Sequence, residues 1–342
     1  MQNYTLKVIA IRRETQDTIT LCFKQPGLKK IKYQAGQYLT LIFRINGRRY
    51  IRPYSFSSAP SVDIDLEVTV KRVPNGIVSN HINDVVKEGD VIEAMQPMGD
   101  FVLPDTEIKN VFLWGAGSGI TPLISIAKYT LSVHKEASVK LIYGNKLKES
   151  TIFYDEINKL CRLHQHKFKS WHFHTRLSIE ENLPDVIQGR INPSTVIDIL
   201  NHEDLKESLH FICGPVGLKE SVKNKLTISG IPDSNIFSED FELVKNPKDF
   251  EEIETQNVTL FFQEKSTVLE VIKGKSILET ALDANIELPY SCQTGNCSTC
   301  KGKLKTGKLK MIGLREQRTD LGIDEFLLCC SHPLDGEVYI EC

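Results

Sequence analysis

The chain lacks an apolar run of the roughly 18 residues that a membrane-spanning helix needs. From Met1 to Thr5 it also lacks the basic-then-apolar layout of an export signal. These two absences point to the cytoplasm, where thiols stay reduced. There is no surplus of charge: 42 Lys and Arg stand against 44 Asp and Glu, a net charge of −2. The totals therefore give no basic face for nucleic acid, and no nucleic-acid or membrane partner is expected. Internal repeats and low-complexity tracts are missing too, which sets aside repeat architectures.

What is present suits a globular, soluble protein, with 41% hydrophobic and 25% charged residues. At 342 residues the chain is too long for one ordinary core, so about two or three domains are expected. Nine cysteines, an odd number, in a reducing compartment read as ligands, catalytic groups or buried apolar residues rather than disulfides.

Three textures follow one another. Residues 1–104 hold short β-branched or alternating runs: Val8 to Ile11, Thr18 to Phe23, Tyr38 to Ile45, Leu66 to Lys71 and Val91 to Ala94. Gly, Pro and Asn punctuate them, as in an antiparallel β-barrel or sandwich. Residues 105–243 alternate strand and helix. Val111 to Trp114, Val139 to Tyr143, Lys169 to His174 and Leu209 to Cys213 read as strands, and Thr121 to His134 and Tyr154 to His164 as helices. That alternation means an α/β domain with a parallel sheet and crossover helices. Residues 244–256 are charged, contain Pro247 and read as a linker. Residues 257–342 open on a hairpin-like pair, Val258 to Gln263 and Thr267 to Ile272. A short helix from Ile277 to Ala284 and a cysteine-rich loop come next.

That loop gives the strongest signal: Cys292-x4-Cys297-x2-Cys300, followed by Cys329 and Cys330. A tight loop can present three thiolates while its amides bond the sulfur atoms, and Gly295 and Gly302 suit the backbone angles needed. The spacing is that of plant-type [2Fe–2S] ferredoxins. A zinc site is the competing reading, against which the x4-x2 spacing and the preceding helix argue. Cys329 and Cys330 compete for the fourth position. Leu328-Cys329-Cys330-Ser331-His332-Pro333 resembles the ferredoxin ending with Pro four residues after the ligand, which favours Cys329.

Two further constellations concern phosphates. Arg52-Pro53-Tyr54-Ser55 is expected just after a strand, and Gly76-Ile77-Val78-Ser79 just before a helix. A guanidinium offers forked donors to phosphate, and a helix start offers free amides. Gly115-Ala116-Gly117-Ser118-Gly119-Ile120-Thr121-Pro122 lies between a strand and a helix, where glycines let the backbone approach a pyrophosphate. Ile120 occupies the last glycine's place, so this is not the dehydrogenase fingerprint. Lys146, after Val139 to Tyr143, and Arg176, after Lys169 to His174, would meet at neighbouring strand ends if the sheet is parallel. There they would favour NADPH, with its 2′-phosphate, over NADH.

Taken in order, these segments resemble the ferredoxin–NADP reductase family with a C-terminal plant-type ferredoxin. The match extends to the reductases of multicomponent oxygenases, the phenylacetyl-CoA epoxidase type among them. It covers nearly the whole chain, including Tyr143-Gly144-Asn145, Gly189-Arg190-Ile191 and Phe211-Ile212-Cys213-Gly214-Pro215. The resemblance implies FAD on the barrel domain, NAD(P) on the α/β domain and a β-grasp ferredoxin domain. It implies that Arg52 meets the flavin phosphates, that Tyr54 packs on the flavin and that Ser55 sits near N5. It also implies that Cys213, with Gly214 and Thr121 nearby, flanks the hydride-donating carbon, and that Phe241 covers the flavin. Ser55, Cys213 and Glu239 are the expected catalytic groups. The chain departs from the family at Lys146, at the doubled Cys329-Cys330 and along Ile312 to Ile323.

The cofactor set has a chemical logic. Nicotinamide gives two electrons at once, an iron–sulfur centre takes one, and flavin does both. The expected activity is an FAD- and [2Fe–2S]-dependent NAD(P)H reductase feeding a redox protein such as an oxygenase component. Direct reduction of a small bound substrate, or a zinc-stabilised binding module, are the alternatives.

Overall fold

The computed structural model describes residues 3–27, 30–176, 186–200, 205, 207–314 and 317–342. The chain divides into two compact units, Met1–Leu41 with Tyr54–Asp240, and Ile42–Pro53 with Phe241–Cys342.

The first sheet is built from β1 (Asn3–Thr15), β2 (Thr18–Phe23), β3 (Tyr38–Ile45), β4 (Arg48–Ser55), β5 (Leu66–Lys71) and β6 (Val91–Met95). Its order is β4-β3-β6-β1-β2-β5. β1 pairs antiparallel with both β2 and β6, and β2 with β5. All six residues of β2 are buried. Its two threonines stay satisfied, Thr18 through Asp17 and Thr20 through Thr69. Arg52-Pro53-Tyr54-Ser55 does not follow a strand, as expected from sequence, but lies within β4. β4 is an edge strand, where a proline's missing N–H is tolerated. Helix α1 (Ile77–Asp84) starts directly after Gly76.

The second sheet is built from β7 (Asn110–Ala116), β8 (Ser138–Asn145), β9 (Phe168–His174), β10 (Val186–Gln188), β11 (Ser208–Cys213) and β12 (Ile236–Glu239). Its order is β10-β9-β8-β7-β11-β12, and every neighbouring pair is parallel. Alternate residues of β7 feed opposite cores. Val111 and Leu113 pack with Ile124 and Ala127 of α2 (Ile120–Val133) and Ile157 of α3 (Tyr154–Leu163). Phe112 and Trp114 pack with Val196 of α4 (Pro193–Leu200) and Val222 of α5 (Val216–Ile228). Cover on both faces is why these strands read as continuous apolar runs.

In the second unit, β13 (Gln256–Phe262), β14 (Lys265–Val271), β15 (Lys301–Thr306), β17 (Glu325–Leu327) and β19 (Val338–Glu341) form a sheet of order β14-β13-β19-β15-β17. β16 (Leu309–Met311) pairs with β18 (Ser331–Pro333). Helix α6 (Ile277–Asp283) starts on a capping box. The Ser276 hydroxyl accepts from the Glu279 amide, and the Glu279 carboxylate accepts from the Ser276 amide. The stretch expected as a solvated linker is anchored: Phe250 and Ile253 are buried together with Ile312. The β3–β4 tip is held in this unit as well. The Ile51 amide donates to the Tyr290 hydroxyl at 3.0 Å, and Arg48 pairs with Asp283 at 2.8 Å.

Candidate functional site

The Gly-rich turn and the end of β11 fit closely together. Gly117–Gly119 forms a single 3-10 turn between β7 and α2, with Gly117 at φ +56°. A Cβ on Gly119 would lie 2.1 Å from the Cys213 carbonyl oxygen, so only glycine fits. A Cβ on Gly214 would meet the Ala116 amide nitrogen at 3.2 Å. Beside Gly117, by contrast, nothing lies within 4 Å of such an atom. That open, left-handed backbone at the mouth of a helix suits a pyrophosphate. The Tyr143 hydroxyl donates to the Gly117 carbonyl at 2.8 Å, and the Thr121 hydroxyl to the Ser118 carbonyl at 3.0 Å. Cys213 is 1% exposed. Burial first, then Glu239 and Asp240, push its thiol well above the ordinary value. Glu239 faces Cys213 across the parallel β11–β12 pair, and Asp240 forms an ion pair with Lys219. Phe241 follows, 45% exposed.

Ser55 is buried at the end of β4. Beyond it, Thr69 donates to Ser57 at 2.9 Å and shares a 2.7 Å bond with Thr20. Tyr33 stacks on Phe56 at 4.0 Å and bonds Ser58. The Ser125 hydroxyl of α2 donates to the Ser58 carbonyl at 2.6 Å. Lys128, one turn on and 8% exposed, pairs with Asp63 at 2.9 Å and with Glu156 at 3.2 Å. The segment after Ser55 is thus tied to α2 and α3 by buried polar contacts that sequence reading missed. Arg52 and Tyr54 are half-buried, and the Arg52 guanidinium bonds the Ile51 carbonyl. No side chain caps α1, and the Ser79 hydroxyl accepts from the Val73 amide at 3.0 Å.

Lys146 and Arg176 come together: the Arg176 amide donates to the Lys146 carbonyl at 2.9 Å, and both residues are exposed. Gly189, after β10, donates to the His174 carbonyl, so exposed Arg190 lies just past the end of the next strand along. Glu149 sits in the short 3-10 turn Lys148–Ser150, also exposed.

Five of the cysteines gather here. The thiols of Cys292 and Cys297 bond one another, and Cys329 bonds both Cys300 and Cys330. The amides of Thr294 and Cys297 donate to the Cys292 sulfur at 3.4 and 3.3 Å. The Cys297 contact outweighs burial and lowers the Cys292 thiol below its ordinary value. Among the described residues, no three His, Cys, Asp or Glu groups stand close enough to hold a single metal ion. Gathered thiols with amides aimed at sulfur fit a two-iron centre. The Cys330 thiol also donates to the Leu327 carbonyl at 3.3 Å.

Comparison with known proteins accords with this geometry. Residues 5–103 match the oxidoreductase FAD-binding domain family, 113–224 the oxidoreductase NAD-binding domain family and 260–334 the 2Fe-2S iron-sulfur cluster binding domain family. The chain is 30% identical to the ferredoxin reductase component of 3-ketosteroid-9-alpha-monooxygenase from Rhodococcus rhodochrous, over 98% of this chain and 96% of that one. It is 29% identical to a subunit of 1,2-phenylacetyl-CoA epoxidase from Escherichia coli K12, over 99% and 97%. Its fold is similar to that of phthalate dioxygenase reductase, with a TM-score of 0.70, 24% identity and coverage of 99% and 98%. No helix among the described residues is long and apolar enough to cross a membrane. With all three domain families matched in one sequence and a relative 30% identical over nearly its whole length, the chain belongs to the electron-transfer oxidoreductases that join FAD-, NAD- and [2Fe–2S]-binding domains.

Proposed function

We propose that the protein takes electrons from NADPH and delivers them singly to an oxygenase component, with Cys292, Cys297, Cys300 and Cys329 as ligands of its iron–sulfur centre. The donor assignment is carried by one observation: Lys146 and Arg176 meet at the ends of β8 and β9, bonded backbone to backbone. That end of a parallel sheet is where the adenosine half of a dinucleotide rests. Two cations there suit a 2′-phosphate, with Arg190 just past the next strand. The acceptor reading draws on the relatives, one a monooxygenase reductase component and the other part of an epoxidase.

Bound flavin supplies the conversion between a two-electron donor and one-electron transfer. The chain's own residues do the placing. Arg52 and the amides of α1 would hold the flavin phosphates, with Tyr54 and Ser55 toward the ring. Gly117 and Gly119 would admit the nicotinamide pyrophosphate, with Thr121 and Gly214 toward its ring. Cys213, kept a neutral thiol by burial, would give that ring a compact apolar wall and would not act as a nucleophile. Glu239 stands on the neighbouring strand end, and Phe241 would supply the aromatic cover.

Steady-state kcat/KM with each donor tests this reading. NADPH should be preferred, and Lys146→Ala and Arg176→Ala should each raise KM for NADPH about tenfold while NADH kinetics stay level; the loss of one charge-assisted contact, about 1.5 kcal/mol, corresponds to that factor. A preference for NADH in the unaltered protein sinks the assignment.

A further inference from the structure

Arg318 lies in the stretch from Ile312 to Ile323, where the sequence leaves the family pattern, and its side chain is only 16% exposed. All five of its N–H donors are engaged. Nη1 donates to the carbonyls of Gly295 at 2.6 Å and Asn296 at 3.1 Å. Nη2 donates to the Ser298 hydroxyl at 2.8 Å and to Asp320 Oδ2 at 2.7 Å. Nε donates to Asp320 Oδ1 at 2.7 Å. Three of these five acceptors belong to the turn between Cys292 and Cys300. The same stretch closes on that turn a second time. A Cβ on Gly295, which has φ +74°, would lie 2.4 Å from Leu314 Cδ2.

We propose that Arg318 is a positioning residue for the iron–sulfur centre, pinning the Gly295–Ser298 turn and setting, against Asp320, how readily the centre accepts an electron. The proposal rests on Cys292, Cys297, Cys300 and Cys329 being the ligands.

The pinning is geometric. Carbonyls of a ligand loop that point away from the cluster need donors, or the peptide planes turn and the amides leave the sulfur atoms. Only a guanidinium presents a planar fork that reaches two successive carbonyls, a hydroxyl and a carboxylate together, and an ammonium cannot. The electrostatic part follows from charge. Taking an electron makes an anionic, thiolate-ligated centre more negative, so a fixed cation nearby raises its potential and a fixed anion lowers it. The Arg318 guanidinium is cationic at any working pH, and the Asp320 bond raises its pKa further. Asp320 takes the Nε–Nη2 edge of the guanidinium, is 57% exposed, and offsets part of its field.

The test uses the full-length protein loaded with flavin and cluster. Midpoint potentials come from redox titration followed by electron paramagnetic resonance, with iron and sulfide content measured alongside. Arg318→Gln should shift the cluster midpoint to lower potential, and Asp320→Asn should shift it to higher potential. Arg318→Lys should keep more of the potential than Arg318→Gln but alter the resonance line shape, because the turn loses its fork. Opposite shifts from the two halves of one ion pair are what a merely structural contact does not produce. Should Arg318→Gln lose iron, the pinning is supported, and Asp320→Asn still has to move upward. Unmoved midpoints, or shifts of the same sign in Arg318→Gln and Asp320→Asn, overturn the proposal. A wild-type protein without the [2Fe–2S] signature overturns the ligand assignment instead, and the two failures are distinct.

Discussion

Gly119 has no room for a methyl group because the carbonyl oxygen of Cys213 would stand 2.1 Å from it. The obstacle is backbone on β11, not the end of a movable side chain, so the strand or the turn must shift. Gly119→Ala is expected to cost about 1–3 kcal/mol of stability, the range for overpacking. With that turn proposed to receive the dinucleotide, the variant should also slow reduction of bound flavin by NAD(P)H. Gly217→Ala is the control, with nothing within 4 Å in the first turn of α5. It should leave flavin reduction unchanged and stabilise slightly. Stopped-flow absorbance of the flavin band reads both, and equal rates in the two variants count against this role for the turn.

Lys128 gives a second prediction. Removing one partner of a fully buried ion pair costs about 3–5 kcal/mol, because a charge is left uncompensated. The side chains of Asp63 and Glu156 keep 29% and 31% exposure, and water will take up part of their charge. Lys128→Met should therefore cost about 2–3 kcal/mol. The urea midpoint of the loss of flavin fluorescence quenching measures it. No change there would mean that the triad adds nothing beyond what solvent gives.

Acid should weaken the same region through Glu67. Burial opposes its charge, but the two-pronged bond from Arg12, at 2.6 and 2.8 Å, prevails and holds its carboxyl below the ordinary value of 4.5. A carboxyl whose folded value is depressed gives stability that is present above its unfolded value and lost as pH falls through the folded one. The stability difference between the wild type and Glu67→Gln should thus be constant near neutrality. It should shrink once the pH drops below the ordinary carboxylate range. Urea titrations at a series of pH values check the sign, and a difference that grows on acidification contradicts it.

Local signals were legible where chemistry and geometry are local. Thr18 to Phe23, Tyr38 to Ile45 and Leu66 to Lys71 match β2, β3 and β5 to the residue, because β-branched runs between turn residues need no distant partner to be recognised. The Cys292-x4-Cys297-x2-Cys300 spacing stands out in the sequence by itself, whereas Cys329 was chosen over Cys330 on resemblance. Helix α4 went unread although Asn192 caps it, accepting from the Ser194 and Thr195 amides ahead of a proline start. Helix α5 was missed because Leu218, Val222 and Leu226 are separated by lysines and preceded by glycine. Lys128 and Arg318 could not be read at all. Each looks like an ordinary surface cation, and the partners that bury it lie some twenty to sixty positions away in the chain. Pro53 inside β4 misled for a related reason, since only the sheet order reveals an edge.

The doubled cysteine allows the sharpest separation of neighbours. Cys329 bonds through its sulfur to both Cys300 and Cys330, and the Cys330 thiol, fully buried, donates to the Leu327 carbonyl. Both cysteines sit in the turn that the Cys330 amide closes on the Leu327 carbonyl at 3.1 Å, and the Cys330 carbonyl accepts from the Ile312 amide at 2.8 Å, so exchanging the two thiols means rebuilding that turn. Cys329→Ser should therefore lose or disfigure the [2Fe–2S] resonance, and Cys330 will not replace it. Cys330→Ser keeps a donor for Leu327 in the same position and should retain the resonance, full iron content and one-electron transfer to cytochrome c. Cys297→Ser, which breaks the other pair, should behave like Cys329→Ser in its resonance, yet still let NADPH reduce the flavin. The reverse pattern, with a signal intact in Cys329→Ser and gone in Cys330→Ser, would transfer the fourth ligand to Cys330. It would also require the 329–331 backbone to rotate when the cluster is assembled.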